Sequence, residues 1–213
     1  NLDKSKIGYE ILSSDPITLG QTFLPNHFTK VSPEFHNRLI LEALTNQFLA
    51  VASPRSSAKS TYLSFLYPLH KILFKKERFI VLISNTFKKA AMYLDAIKME
   101  FADNEILKSV FGKVSFDRDA EGDTIFKHVD GYKTLFLCKG VDQLGSLRGV
   151  KFGADRPGIV ICDDMEDDTM VRNPELRLKL KNEFDEVLSR IGHESTQIVV
   201  VGTILHDDSQ LAK

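Results

Sequence analysis

The sequence predicts an α/β fold, a mostly parallel sheet with helices on both faces. Two observations carry this. Apolar runs at residues 47–52, 78–84, 158–164 and 196–203 have the length and Val/Ile/Leu content of buried strands. Between them lie segments with apolar residues at helical spacing, bounded by cap and terminator residues. A chain of 213 residues, 43% hydrophobic and 27% charged, has ordinary globular composition and ample length for one large α/β domain.

In chain order, residues 1–32 have weak periodicity and several turn residues, so they read as a lead-in arm ahead of a domain at 33–213. The segment 32–44 has Ser32 as N-cap, Pro33 at the first helical position and Glu34 next, then helical apolar spacing. Residues 47–52 form a short buried strand, and 59–74 a helix. Residues 78–84 make a second buried strand, and 85–102 an amphipathic helix capped by Asn85 or Thr86. A shorter helix follows and ends at Gly112. The region 113–153 is mixed, with strand signals in DTIFKHV and KTLFLCKG separated by Asp130-Gly131, a hairpin dipeptide. After the third buried strand, 158–164, comes a long helix over 172–192 with Asn173 as cap, Pro174 in the first turn and Gly192 as terminator. The last strand is 196–203.

Formal net charge is -1, so any contact with nucleic acid has to come from a local patch. Lys71, Lys75, Lys76, Arg78, Lys88 and Lys89 form one basic stretch; a solvated helix face is the plainer reading for most of them. Cys138 and Cys162 sit inside apolar runs and read as buried thiols of a reducing compartment. No apolar run approaches a membrane span. The first residue is Asn, and HDDSQLAK reads as the opening of a helix capped by Asp207 or Asp208, so the expectation is an excised domain with more protein following.

In parallel sheets, ligands bind beyond the carboxyl ends of strands. The unusual polar residues fall at those ends: Ser53 to Ser60, Asn85, Asp163 and Asp164, then Thr203 and His206. The loop Ser53, Pro54, Arg55, Ser56, Ser57, Ala58, Lys59, Ser60, with Thr61 opening the helix, has the layout of a phosphate loop whose two usual glycines are replaced by Ser53 and Ala58. Lys59 would reach the β- and γ-phosphates, and Ser60 would bind Mg²⁺. Glycine is favoured in such loops for close approach and φ > 0; Ala58 keeps the approach provided its φ is negative, and Ser53 serves if its φ is ordinary. A polar loop whose helix happens to begin with Lys is the plainer alternative.

Asp163 directly follows a buried apolar run, where a carboxylate is costly without a metal or hydrogen-bond partner. It fits a Mg²⁺ ligand. Asp164 fits the carboxylate that orients or deprotonates an attacking water, with Glu166 in reserve. Asp167 and Asp168 are better explained as a solvated turn and a helix cap. Arg55 within the loop and Arg148 in GSLRGVKFG are candidates for charge stabilisation, in cis and from a neighbouring subunit; Gly145 and Gly149 suggest a turn presenting Arg148 outward. A surface ion pair is the default for either. Thr203 suits a γ-phosphate sensor or simply a β-branched strand end. His206 contacts nucleotide or caps the following turn. Phe35 and His36 are candidates to pack on adenine, with core packing the plainer role for Phe35.

The ordered set EFHNRLI, VASPRSSAKST, LISNT, GSLRG, GIVICDDMED and VVVGTILHDD resembles the ATPase domain of tailed-phage large terminase subunits, across roughly Phe35 to Asp208. That family often writes its phosphate loop as Pro-Arg ending in Ala-Lys-Ser, its acidic pair as Asp-Asp, and a Gly-Thr coupling motif on the next strand. The resemblance implies a RecA-like P-loop NTPase of the additional-strand (ASCE) class, with ATP and Mg²⁺ as ligands. It implies Lys59 and Ser60 as the loop pair, Asp163 as metal carboxylate, Asp164 as catalytic carboxylate, Thr203 as coupling residue, and Arg55 and Arg148 as the two arginines. The implied partners are double-stranded viral DNA, the portal of the prohead, the small terminase subunit and a homo-oligomeric ring, in the host cytoplasm. The family's C-terminal nuclease is not in this sequence. Two alternatives stand beside this reading: another nucleic-acid motor of the same fold, such as a helicase, and a nucleotide-binding module without turnover.

Overall fold

The computed structural model describes residues 4–212. Its centre is a seven-stranded sheet of β1 (Phe48–Ala52), β2 (Phe79–Ser84), β3 (Val114–Ala120), β4 (Asp123–His128), β5 (Lys133–Gly140), β6 (Ile159–Asp163) and β7 (Gln197–Gly202). The strand order is β1-β7-β6-β2-β5-β4-β3. The pairs β1/β7, β7/β6, β6/β2 and β2/β5 are parallel; β5/β4 and β4/β3 are antiparallel. The expected α/β architecture is therefore present, with β7 lying between β1 and β6.

Strand alternation builds two cores. Ile80 and Leu82 of β2 face one side and Phe79, Val81 and Ile83 the other, and all five are fully buried. The first side is covered by α2 (Pro16–Phe23), α3 (Glu34–Thr45), a helix that begins as the π-helical segment Thr61–Leu66 and continues as α4 (Tyr67–Leu73), and α5 (Phe87–Asp103). The second side is covered by α8 (Pro174–Ile191) and the 3₁₀ segment Val141–Leu147. Each fully buried Ile or Leu stabilises the fold by about 1.5–3 kcal/mol. Asn173 caps α8 through Glu175 and Leu176 N–H, and Thr86 caps α5 through Lys89 N–H, as the sequence indicates. Gly131, at φ 86, turns the chain between β4 and β5.

Several elements differ from expectation. The run 47–52 is a strand, but an edge strand of the described sheet: Phe48 is 68% exposed and burial alternates along β1. A groove of about 980 Å³ runs along β1, β7 and α8 beside it, away from the polar strand ends. The lead-in residues carry helices α1 (Lys4–Ser14) and α2, and Leu19 and Leu24 are fully buried in the first core. Asp15 caps α2 by accepting from Ile17 and Thr18 N–H. Ser32 does not cap α3; its hydroxyl is buried 2.7 Å from Tyr62 OH, and Pro33 takes the cap position without a side-chain bond. Residues 114–120 form β3, which tolerates charge because it is an edge. Residues 207–212 make a turn and the 3₁₀ segment Gln210–Ala212. Both cysteines are free and buried, and burial pushes their thiols well above the ordinary range.

His70 of α4 gives a pH signature. It is fully buried, its Nε2–H donates to Leu12 O at 3.2 Å, and Nδ1 has no partner. Burial, helped by the charges of Lys76 and Lys71, lowers it from 6.5 to about 4. The unfolded chain therefore takes this proton first. The stabilising effect of keeping His70 neutral is complete above about pH 6.5 and is lost as pH falls toward 4, amounting to ~3 kcal/mol. Chemical denaturation at pH 7 and pH 4.5 checks this: a His70→Gln variant should lose less stability than the wild type between the two.

Candidate functional site

The parallel strands place their carboxyl ends on one edge. Ser84, Asp163 and Val201 are in register across β2, β6 and β7, and Ala52 pairs with Gly202. The chain leaving each strand is tied to its neighbour: Ser53 N–H donates to Gly202 O at 3.1 Å, and Asp164 N–H to Val201 O at 2.8 Å. Ser84 Oγ donates to Asp163 O at 2.8 Å.

The loop after β1 reaches across this edge. Lys59 is only 4% exposed, and its Nζ donates to Thr203 Oγ1 at 3.1 Å. Thr203 Oγ1 in turn donates to Ser53 O at 3.0 Å, closing a chain from the loop's end to its start through β7. Ser60 Oγ donates to Asp163 Oδ1 at 2.8 Å. Ser53 Oγ bonds Ser57 Oγ at 2.7 Å within the loop. His36 Nε2–H donates to Ser57 O at 2.7 Å, and its ring stacks on Tyr62 with centroids 4.0 Å apart. His36 is therefore a brace for the loop, while Phe35 is 44% exposed and not a core residue.

The missing glycines have a conformational consequence. Ala58 has φ 57 and Ser56 φ 64, so both adopt the left-handed conformation glycine usually supplies. The negative φ on which the close approach at Ala58 is conditioned is not met, while Ser53 is not among the positive-φ residues. An alanine held there costs roughly 1 kcal/mol or more, which the brace from His36 and the loop's own hydrogen bonds offset. Ala58→Gly should keep the site working and leave thermal stability within about 1 kcal/mol. Ala58→Val, β-branched at positive φ, should destabilise by about 1–3 kcal/mol and weaken nucleotide binding. Thermal melts and ligand titration of the two variants check both statements.

Asp163 is fully buried. Burial raises its carboxyl above the usual range and the neighbouring Asp164 adds to this, while Ser60 and Lys89 oppose it. Its Oδ2 has no hydrogen-bond partner. Such an orphan oxygen beside the Ser60 hydroxyl fits a cation. These are hard oxygen donors of the kind Mg²⁺ takes together with phosphates and waters. Among the described residues no cluster of three or more His, Cys, Asp or Glu is arranged to hold a metal, so this is not a self-sufficient protein cage. Tyr93 of α5 adjoins the same pair; burial, with the Asp163 charge adding, pushes its phenol up to about 12.

Asp164 sits at φ 44, with its carboxylate between two ammonium groups: Lys59 Nζ is 3.9 Å from Oδ1 and Lys89 Nζ 3.4 Å from Oδ2. Glu166 lines one small cavity with Asp164 and Thr203. Asp167 caps α7 (Asp168–Arg172), accepting from Thr169 and Met170 N–H. Arg55 pairs with Asp168 at 3.0 Å, with both side chains exposed at the loop's mouth. Arg148 is not brought into this cluster; it follows the 3₁₀ segment and pairs with Glu186 on α8 at 2.8 Å. His206 Nδ1 accepts from Asp208 N–H at 2.9 Å, a turn cap. Ser84, Tyr93 and Lys89 were not singled out in the sequence as site residues. The signal for Lys89 was its place in the first turn of the helix leaving β2.

Solved structures similar to this chain in overall fold include two. Both are of the Thermus phage P74-26 large terminase ATPase domain, one of them a mutant form. The mutant form matches at TM-score 0.55 and 16% identity, and the other at 0.52 and 15%. Each match covers 84% of this chain and 67% of the other. The chain shares their fold. No family model matches the sequence, and no curated protein does. The likeness therefore lies in the α/β sheet and its helices far more than in residue identity.

Proposed function

We propose that the chain is the Mg²⁺-dependent ATPase domain of a phage large terminase, which powers movement of double-stranded viral DNA into a prohead. The observation that carries this is the meeting of three separate sequence motifs at one sheet edge: Lys59 bonds Thr203, and Ser60 bonds Asp163. The position of β7 between β1 and β6 supports the RecA-like, additional-strand P-loop class. The two phage ATPase domains of the same fold supply the packaging context.

In this reading the backbone N–H groups of residues 55–60 and the Lys59 ammonium bind the phosphates of ATP. Ser60 and Asp163 would hold Mg²⁺, which would supply positive charge against the phosphates there. Asp164 orients the attacking water and takes its proton, with Glu166 next to it. Thr203 changes partner when Lys59 turns to the phosphates, which links occupancy of the site to β7. Arg55 serves in cis. Arg148, exposed and away from its own site, suits a role in trans in a ring assembled at the portal, where the small terminase subunit and DNA also engage.

Equilibrium titration with a fluorescent ATP analogue tests the site. Wild type should bind saturably in Mg²⁺ and more weakly in EDTA; absence of saturable binding would sink the reading. Binding with no phosphate release at any protein concentration would favour a non-hydrolysing module. A nuclease sequence following in the parent gene separates a terminase from a helicase.

A further inference from the structure

We propose that Lys89 is a positioning residue for hydrolysis: it is the counter-ion that holds Asp164 once a nucleotide has drawn Lys59 away. This rests on the ATPase reading above. Among the basic stretch 71–89, several cations are engaged away from the strand ends. Lys75 pairs with Asp130, Arg78 pairs with Asp155 at 2.8 Å, Lys76 donates to Ser13 O, and Lys71 lies over the Tyr67 ring. Lys89 instead turns to the carboxyl edge of the sheet. Its backbone N–H donates to Thr86 Oγ1 at 3.3 Å, which fixes the first turn of α5 and so the direction from which the side chain arrives.

The carboxylate of Asp164 has one ammonium on each oxygen. These contacts are unequal. Lys59 lies at the longer distance, 3.9 Å, and has its closer partner in Thr203 at 3.1 Å. A polyphosphate bound by the loop competes directly for Lys59, because it carries several negative charges and sits where the loop's N–H groups point. Asp164 then loses one cation at the moment a like charge arrives beside it. Lys89 is then the ammonium still paired with the carboxylate. The Asp164 backbone is tied by its N–H bond to Val201 O at 2.8 Å. The side-chain torsions alone set the carboxylate, and the Lys89 contact to Oδ2 decides them. The Lys89 side chain is 35% exposed and lines a cleft of about 330 Å³ with Thr61, Phe65, Met92 and Tyr93, so it has room to follow.

The test compares wild type, Lys89→Met and Lys89→Arg for kcat, KM, affinity for a non-hydrolysable ATP analogue with Mg²⁺, and melting temperature. Lys89→Met should lose about ten- to hundredfold in kcat while analogue affinity stays within about threefold and melting is unchanged. Lys89→Arg should recover most of kcat. Wild-type kcat in Lys89→Met, a loss of analogue affinity as large as the loss of kcat, or an Arg variant as slow as Met would each overturn the proposal. Should wild type hydrolyse ATP and Lys59→Ala not, while Lys89→Met stays fully active, the ATPase reading stands and the role of Lys89 falls. A wild-type protein that binds no analogue sinks both.

Discussion

Lys59→Ala is expected to lower ATP turnover by at least about 10²-fold and to weaken nucleotide binding with it, while the fold survives. The side chain is nearly buried at the junction of the loop, Thr203 and Asp164, so its ammonium is pre-oriented by two partners rather than free in solvent. Removing it takes away the loop's buried cation, the one that the proposed function assigns to the outer phosphates. The neighbours tolerate the loss. Thr203 Oγ1 still donates to Ser53 O, and Asp164 keeps Lys89. A melting curve near that of wild type, together with lost analogue binding, is the expected pair of results; a collapsed melting temperature would move the effect from function to folding.

Asp163→Asn is expected to push stability and activity in opposite directions. Without a cation, the buried carboxylate is destabilising: its carboxyl is raised by burial, so the folded state favours the proton more than the unfolded chain does. For a raised acid, that linkage stabilises fully below the unfolded value of 3.8 and fades as pH rises through the folded one, leaving a cost at neutral pH. An amide of the same shape removes that cost. It still accepts from Ser60 through its remaining oxygen. Apo stability at pH 7 should rise by about 1 kcal/mol. Hydrolysis in Mg²⁺ should fall by about 10²-fold or more, because an amide is a poor ligand for that cation. Denaturant unfolding in EDTA and phosphate release in Mg²⁺ separate the two effects. A site that trades stability for chemistry in this way is one where charge is stored for a ligand.

The frame of this fold is readable from the sequence because strand and helix periods differ and caps mark their junctions. Asn173 and Thr86 are placed where their side chains can only be useful. The polar residues at the strand ends are equally visible, since Asp163 after an apolar run has no structural excuse. What escaped depends on tertiary context. Five apolar residues in β1 have the composition of a buried strand, yet topology gave it one neighbour in the described sheet. The run 114–120 carries no assignment of its own inside the mixed region 113–153, and pairing with β4 makes it a strand. The short helix α2 has only eight residues in which to show its buried stripe of Pro16, Ile17, Leu19, Gly20 and Phe23; its cap Asp15 was the missed signal. Positive φ at Ser56 and Ala58 is imposed by loop closure between Ser53 and Lys59, not by any preference of Ser or Ala. Lys89 looked like its basic neighbours because direction along a helix face is fixed only once α5 is packed.

The most direct test is phosphate release from ATP by the wild-type protein at high concentration, with Mg²⁺ and with EDTA, alongside Lys59→Ala. Wild type should release phosphate in Mg²⁺ and not in EDTA. ATP recovered intact from the wild type in Mg²⁺, or hydrolysis undiminished in Lys59→Ala, would contradict it.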